Sequence, residues 1–166
     1  MKITDRLLGD HKTFRKMLSD LGAIAGQPST QRDDRKLVRL VELFKDHLVI
    51  HAWCEETFYY PVIRQELHRS APPLTVAYMD HLDSEHATVD GYLDRLEQEL
   101  KAQPMVGAWP QTYALFSKGL VAHMKKEEEE LFPLSEQLLG SALLEEISHE
   151  LERRRKDAPP VRLHTR

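Results

Sequence analysis

Apolar positions recur at three- and four-residue steps along most of the chain. Leu7, Phe14, Leu18, Leu21 and Ala25 fall on one stripe, and Leu82, Val89, Leu93, Leu96 and Leu100 on another. This is the spacing of an amphipathic helix that buries one face. No run alternates strictly between apolar and polar residues as a half-buried strand would. Turn-forming residues interrupt the pattern at Gly26-Gln27-Pro28-Ser29, at Ser70-Ala71-Pro72-Pro73, around Pro104 to Pro110, and more weakly at Gly140-Ser141. The breaks predict helices near 4–25, 31–68, 74–101 and 109–138, then a short one near 142–154. The expected fold is all-α: an antiparallel four-helix bundle with a short fifth helix over residues 1–156, and an extended tail over 157–166 that carries Pro159-Pro160. Pro61 and Pro133 lie inside helical pattern, where the missing N–H and the ring clash predict a kink or break.

At 166 residues the chain fits one domain with a real core. A formal charge of -4, with acidic and basic residues mixed, speaks against a nucleic-acid partner. The dense basic run Arg153 to Lys156 reads as a solvated helix end. No apolar stretch is long enough for a signal peptide or a membrane span, so the expectation is a cytoplasmic protein with no membrane partner. One cysteine, Cys54, rules out an intrachain disulfide or a cysteine-based zinc site. Nine histidines are the unusual feature.

The histidines sit in an internal repeat. With an offset of 75 residues the first helix overlays the third: Leu7 on Leu82, His11 on His86, Phe14 on Val89, Leu18 on Leu93. Each stripe is apolar except at one position, which is histidine in both and follows an acid, as Asp10-His11 and Glu85-His86. With an offset of 72 the second helix overlays the fourth: Phe44 on Phe116, His51 on His123, Glu55-Glu56 on Glu127-Glu128, and Tyr59-Tyr60-Pro61 on Leu131-Phe132-Pro133. A four-residue step turns a helix by about 40° and rises about 6 Å, so each His-x-x-x-Glu pair points one way. Two such hairpins make an approximately two-fold bundle whose interior holds four imidazoles and two carboxylates. Buried unmatched they would be costly, and a pair of cations compensates them. The predicted metal ligands are therefore His11, His51, Glu55, His86, His123 and Glu127. The run Glu128 to Glu130 reads as a solvated face.

These residues resemble the hemerythrin-like, or HHE cation-binding, family. The resemblance lies in lone His11, the pair in His51-Ala52-Trp53-Cys54-Glu55, the Glu85-His86 step, and His123-Met124-Lys125-Lys126-Glu127 with Phe132-Pro133, over residues 4 to 138. It implies two iron ions, bridged by an oxo or hydroxo group and by both carboxylates, able to meet dioxygen, nitric oxide or peroxide. Oxygen-carrying hemerythrins differ in presenting a His-x-x-x-His pair on the third helix. Here His81 and His86 are five apart, about 140° around a helix. His81 is thus a weaker candidate, as are His47, one turn before His51, and Tyr59, one turn after Glu55. Ferritin-like di-iron bundles use Glu-x-x-His, the reverse order.

No nucleophile–base arrangement, phosphate-cradling loop or dinucleotide motif is visible, which leaves any chemistry to the metals. The expected function is binding or sensing of a small molecule, or of iron or redox state, more a binding module than an enzyme. The alternatives are a redox or repair enzyme acting on peroxide or nitric oxide, and a bundle held by structural zinc or manganese. Leu143, Leu144, Ile147 and Leu151 on the last helix form an apolar side suited to capping the bundle or to a homodimer contact.

Overall fold

The computed structural model describes residues 1–70, 73–102 and 107–160. Among these residues six α-helices build four long arms. The first arm is α1 (Ile3–Ala25). The second is α2 (Asp34–Cys54), a wide turn Glu55–Tyr59, and α3 (Tyr60–Ser70). The third is α4 (Pro73–Lys101), and the fourth is α5 (Trp109–Lys126), a wide turn Glu127–Leu131, and α6 (Phe132–Arg153). Among the described residues there is no strand. The arms pack in a ring, α1 against α2, α2 and α3 against α4, α4 against α5, and α5 and α6 back against α1. This is the all-α bundle that the periodicity predicts.

The ends follow local chemistry. Asp33 caps α2 by accepting from the Lys36 N–H at 2.9 Å, and the Gly26 N–H closes α1 on the Gly22 carbonyl at 2.9 Å. Of the expected breaks at Ser70–Pro73 and Pro104–Pro110, residues 71–72 and 103–106 lie outside the described residues; Ser70 ends α3, Pro73 begins α4, and Pro110 lies in the first turn of α5. At Gly140 the expected break is present as a kink inside α6, where φ is 71° and ψ 164°. Arg155–Asp157 forms a short 3-10 turn after α6, and of the expected tail only the stretch to residue 160 is described. No helix among the described residues is long and apolar enough to cross a membrane.

Neither proline breaks its arm. Glu55–Tyr59 and Glu127–Leu131 are single π-helical turns, and Pro61 and Pro133 each follow two residues later. The Tyr60 N–H donates to the Glu55 carbonyl, and the Phe132 N–H to that of Glu127, in each case five residues back rather than four. A proline ring crowds the carbonyl four residues before it, and widening the preceding turn relieves that crowding without ending the helix.

The core is in two parts. One contains Phe14, Leu18, Val41, Phe44, Leu93, Phe116 and Leu120; the other contains Ile3, Leu7, Tyr59, Ile63, Leu67, Leu82, Leu131 and Leu144. The repeat mates Phe44 and Phe116 meet edge to face at 5.2 Å, and Phe14 stacks on Phe44 at 5.4 Å. Each fully buried phenylalanine contributes about 1.5–3 kcal/mol. On α1 and α4, the position between Leu7 and Phe14, and between Leu82 and Val89, is the buried histidine of each stripe. The polar layer therefore lies between two apolar ones.

Candidate metal centre

The structure brings all six predicted residues together in that layer. His11 comes from α1, His51 and Glu55 from the second arm, His86 from α4, and His123 and Glu127 from the fourth arm, and all are buried. They form two overlapping groups of close-set donor atoms: His11, His51, Glu55 and Glu127; and Glu55, His86 and His123. Glu55 belongs to both. Its Oε1 lies 3.1 Å from His51 Nε2, and its Oε2 lies 3.2 Å from His86 Nε2. Glu127 Oε2 lies 3.3 Å from His11 Nε2 and 3.5 Å from His123 Nε2.

Every imidazole is oriented from behind. The Nδ1 atoms face outer carboxylates: His11 meets Glu128 at 2.8 Å, His51 meets Asp10 at 3.2 Å, His86 meets Glu56 at 2.8 Å, and His123 meets Glu85 at 3.2 Å. An ionised carboxylate on Nδ1 keeps the ring hydrogen there and turns the Nε2 lone pair inward, the tautomer that binds a metal. The set obeys the repeat: adding 75 to His11 and subtracting 72 from Glu128 gives His86 and Glu56, and the same shifts turn Asp10–His51 into Glu85–His123. Two outer carboxylates are themselves clamped. Arg15 holds Glu128 through two bonds of 2.8 Å, and Lys126 holds Glu85.

The centre lacks satisfied bonds where they would be expected. His11 Nε2, both Glu55 carboxyl oxygens and Glu127 Oε2 are buried without a hydrogen-bond partner, and the bond of 3.0 Å between His86 Nε2 and His123 Nε2 needs a proton on one of the two rings. Buried polar atoms are seldom left so. A cation in each group satisfies all of them, and imidazole with carboxylate is a donor set that suits iron, zinc or manganese. In the protein alone, protons supply the positive charge. Burial disfavours charge on His51, but the Glu55 carboxylate and the bond to Asp10 outweigh it and raise its pKa to about 10. His86 rises to about 10 in the same way, against burial, through the Glu55 carboxylate beside it and its bond to Glu56. Burial would raise Glu55, yet His51 and His86 hold it well below the usual carboxylate range.

The remaining candidates lie elsewhere. His47 is exposed and belongs to neither group, because each four-residue step back from His51 turns about 40° away from the buried stripe. His81 is also exposed, its Nε2 3.0 Å from Lys126 Nζ and 3.1 Å from Glu85 Oε1. Tyr59 is buried, but its hydroxyl pairs with Ser135 Oγ. Its neighbour Tyr60 reaches the centre instead, donating to Glu127 Oε1 at 2.6 Å. The π turn explains the exchange: it places the residue five after Glu55, not four, beneath that carboxylate. Glu128, expected on a solvated face, is the partner of His11. A readable signal for both existed in the repeat, since Glu56/Glu128 and Pro61/Pro133 recur at the same offset as the ligands.

A small cavity of ≈ 10 Å³ adjoins the second group, bounded by His51, His86 and His123, by Asp90, and by the apolar side chains of Leu48, Ala52, Val89 and Leu120. It has room for about one water-sized group.

Fold and site together define a helical bundle with a buried, metal-ready histidine–carboxylate centre. The sequence pattern of the hemerythrin HHE cation binding domain matches residues 2–135, and the chain belongs to that family. No curated protein and no solved structure matches it.

Proposed function

We propose that this protein is a non-haem di-iron protein that binds or senses a small molecule such as dioxygen or nitric oxide, or iron or redox state. The observation that supports this reading is the set of inward-facing donors, in two groups joined by Glu55, whose atoms are unsatisfied without cations. Bound iron would supply one-electron chemistry and affinity for small diatomic ligands. The chain's part is to fix the donors, to orient them through Asp10, Glu56, Glu85 and Glu128, and to exclude water with the apolar layers on either side. The narrow cavity favours a diatomic ligand over a larger substrate.

A second reading, a redox enzyme acting on peroxide or nitric oxide, draws on the Tyr60 hydroxyl, an O–H group bonded directly to Glu127. Metal analysis with an absorption spectrum of anaerobically purified protein tests the main proposal. Two irons per chain with oxo-bridge charge-transfer bands are expected. No metal uptake after iron reconstitution would overturn it, and a colourless zinc protein that melts on chelation would make the metal purely structural.

A further inference from the structure

The repeat gives the centre an approximate two-fold symmetry, and one hydroxyl at its carboxylates breaks it. Tyr60 stacks on His86 with ring centroids 5.6 Å apart and planes at 16°. Its repeat mate Phe132 stacks on His11 at 5.7 Å and 23°. The two rings thus occupy equivalent places, and only Tyr60 carries a hydroxyl, which donates to Glu127 Oε1 at 2.6 Å. The two bridging candidates differ accordingly. Glu55 has both carboxyl oxygens without a hydrogen-bond partner and spans both donor groups with one oxygen toward each, whereas Glu127 has only Oε2 in that state, an oxygen grouped with His11, His51 and Glu55 that also lies 3.5 Å from His123 Nε2. One group has four protein donors and the other has three.

We propose that Tyr60 is a positioning residue that withholds Glu127 Oε1 from the centre, so that the metal held by Glu55, His86 and His123 has only three protein donors and is the one that takes an exogenous ligand. The inference rests on the two-metal reading and adds to it which metal is reactive and why. Three protein donors leave a metal with coordination to spare, whereas four can close it. The ≈ 10 Å³ cavity meets both donors His86 and His123 of this group and only His51 of the other. A carboxylate freed from the hydroxyl could offer both oxygens, as Glu55 is placed to do, and supply the fourth donor. Tyr60 is held in place for its task by burial and by the π turn that sets it beneath Glu55.

The test loads the full chain with cobalt(II), counts the metal, and titrates azide as the exogenous anion, followed by visible absorption. The natural protein is expected to hold two cobalt ions and to bind one azide. Tyr60→Phe should also hold two cobalt ions and bind azide about 10-fold more weakly or worse, the size of a lost hydrogen bond to a charged group. Tyr60→Phe with two cobalt ions and unchanged azide affinity would overturn the proposal. Phe132→Tyr keeps the test decisive should Tyr60→Phe fail to fold. It puts a hydroxyl where it would hold an oxygen of Glu55, and the second cobalt should bind about 10-fold more weakly or worse. Cobalt binding by Phe132→Tyr equal to that of the natural protein would also overturn it. Failure of the natural chain to take up two cobalt ions would strike the two-metal reading itself, and is seen before azide is added.

Discussion

Asp10 hydrogen-bonds His51 on the neighbouring arm at 3.2 Å, and not His11, which follows it in the chain. Glu85 does the same for His123. Adjacent residues on a helix point about 100° apart, so an acid beside a histidine serves the next helix round. Each acid–histidine step therefore contributes one residue to the centre and one to the orientation of its neighbour, cross-bracing the arms around the polar layer.

The outer carboxylates should matter to metal affinity without being ligands. Glu56→Gln and Glu128→Gln keep the side-chain shape but lose the charge that fixes the Nδ1–H tautomer of His86 and His11. Each should weaken metal binding about 10- to 100-fold. Competition against a chelator checks this, with Glu129→Gln, on the exposed face, as the control expected to change nothing.

Removal of a donor should be distinguishable from removal of a surface histidine. His86→Ala leaves the second group with Glu55 and His123 alone and should lose at least one metal per chain. His81→Ala alters only an exposed network with Lys126 and Glu85 and should retain both. Metal counting on the purified variants decides it, and the reverse result would break the assignment.

Stability of the metal-free chain should fall in mildly alkaline solution. The pKa values of His51 and His86 are raised to about 10 in the folded protein, above the ordinary 6.5. Their stabilising effect is fully present below about pH 6.5 and is lost as pH rises through about 10. Thermal melts of metal-free protein between pH 7 and 10.5 should show a falling midpoint. The metal-loaded protein should show a shallower fall, because cations there stand in place of the protons.

Two glycines should respond in opposite ways. Gly140 has φ 71° and ψ 164°, a conformation that side chains resist, and nothing lies within 4 Å of the place an added Cβ would occupy. Gly140→Ala should cost about 1–3 kcal/mol as backbone strain alone. Gly9, within α1, has equally open surroundings and ordinary helical geometry, so Gly9→Ala should stabilise by about 0.4–1 kcal/mol. Denaturant unfolding of both variants gives the comparison.

Much of this protein is written along its chain. The helical periods, the breaks at Gly26 and Gly140, and the six candidate ligands all follow from local spacing, because a helix imposes a fixed angle per residue and a histidine on an apolar stripe must face inward. The repeat also revealed which positions correspond. Tertiary structure decided the rest. It paired Glu128 with His11 and Glu56 with His86, which no local rule connects, since the partners are 117 and 30 residues apart. It put Tyr60 rather than Tyr59 against Glu127, because the π turns before Pro61 and Pro133 add a residue to the helical count. Helical spacing fixes which way a residue points from its own axis, whereas the atom it meets depends on how four axes are set against one another.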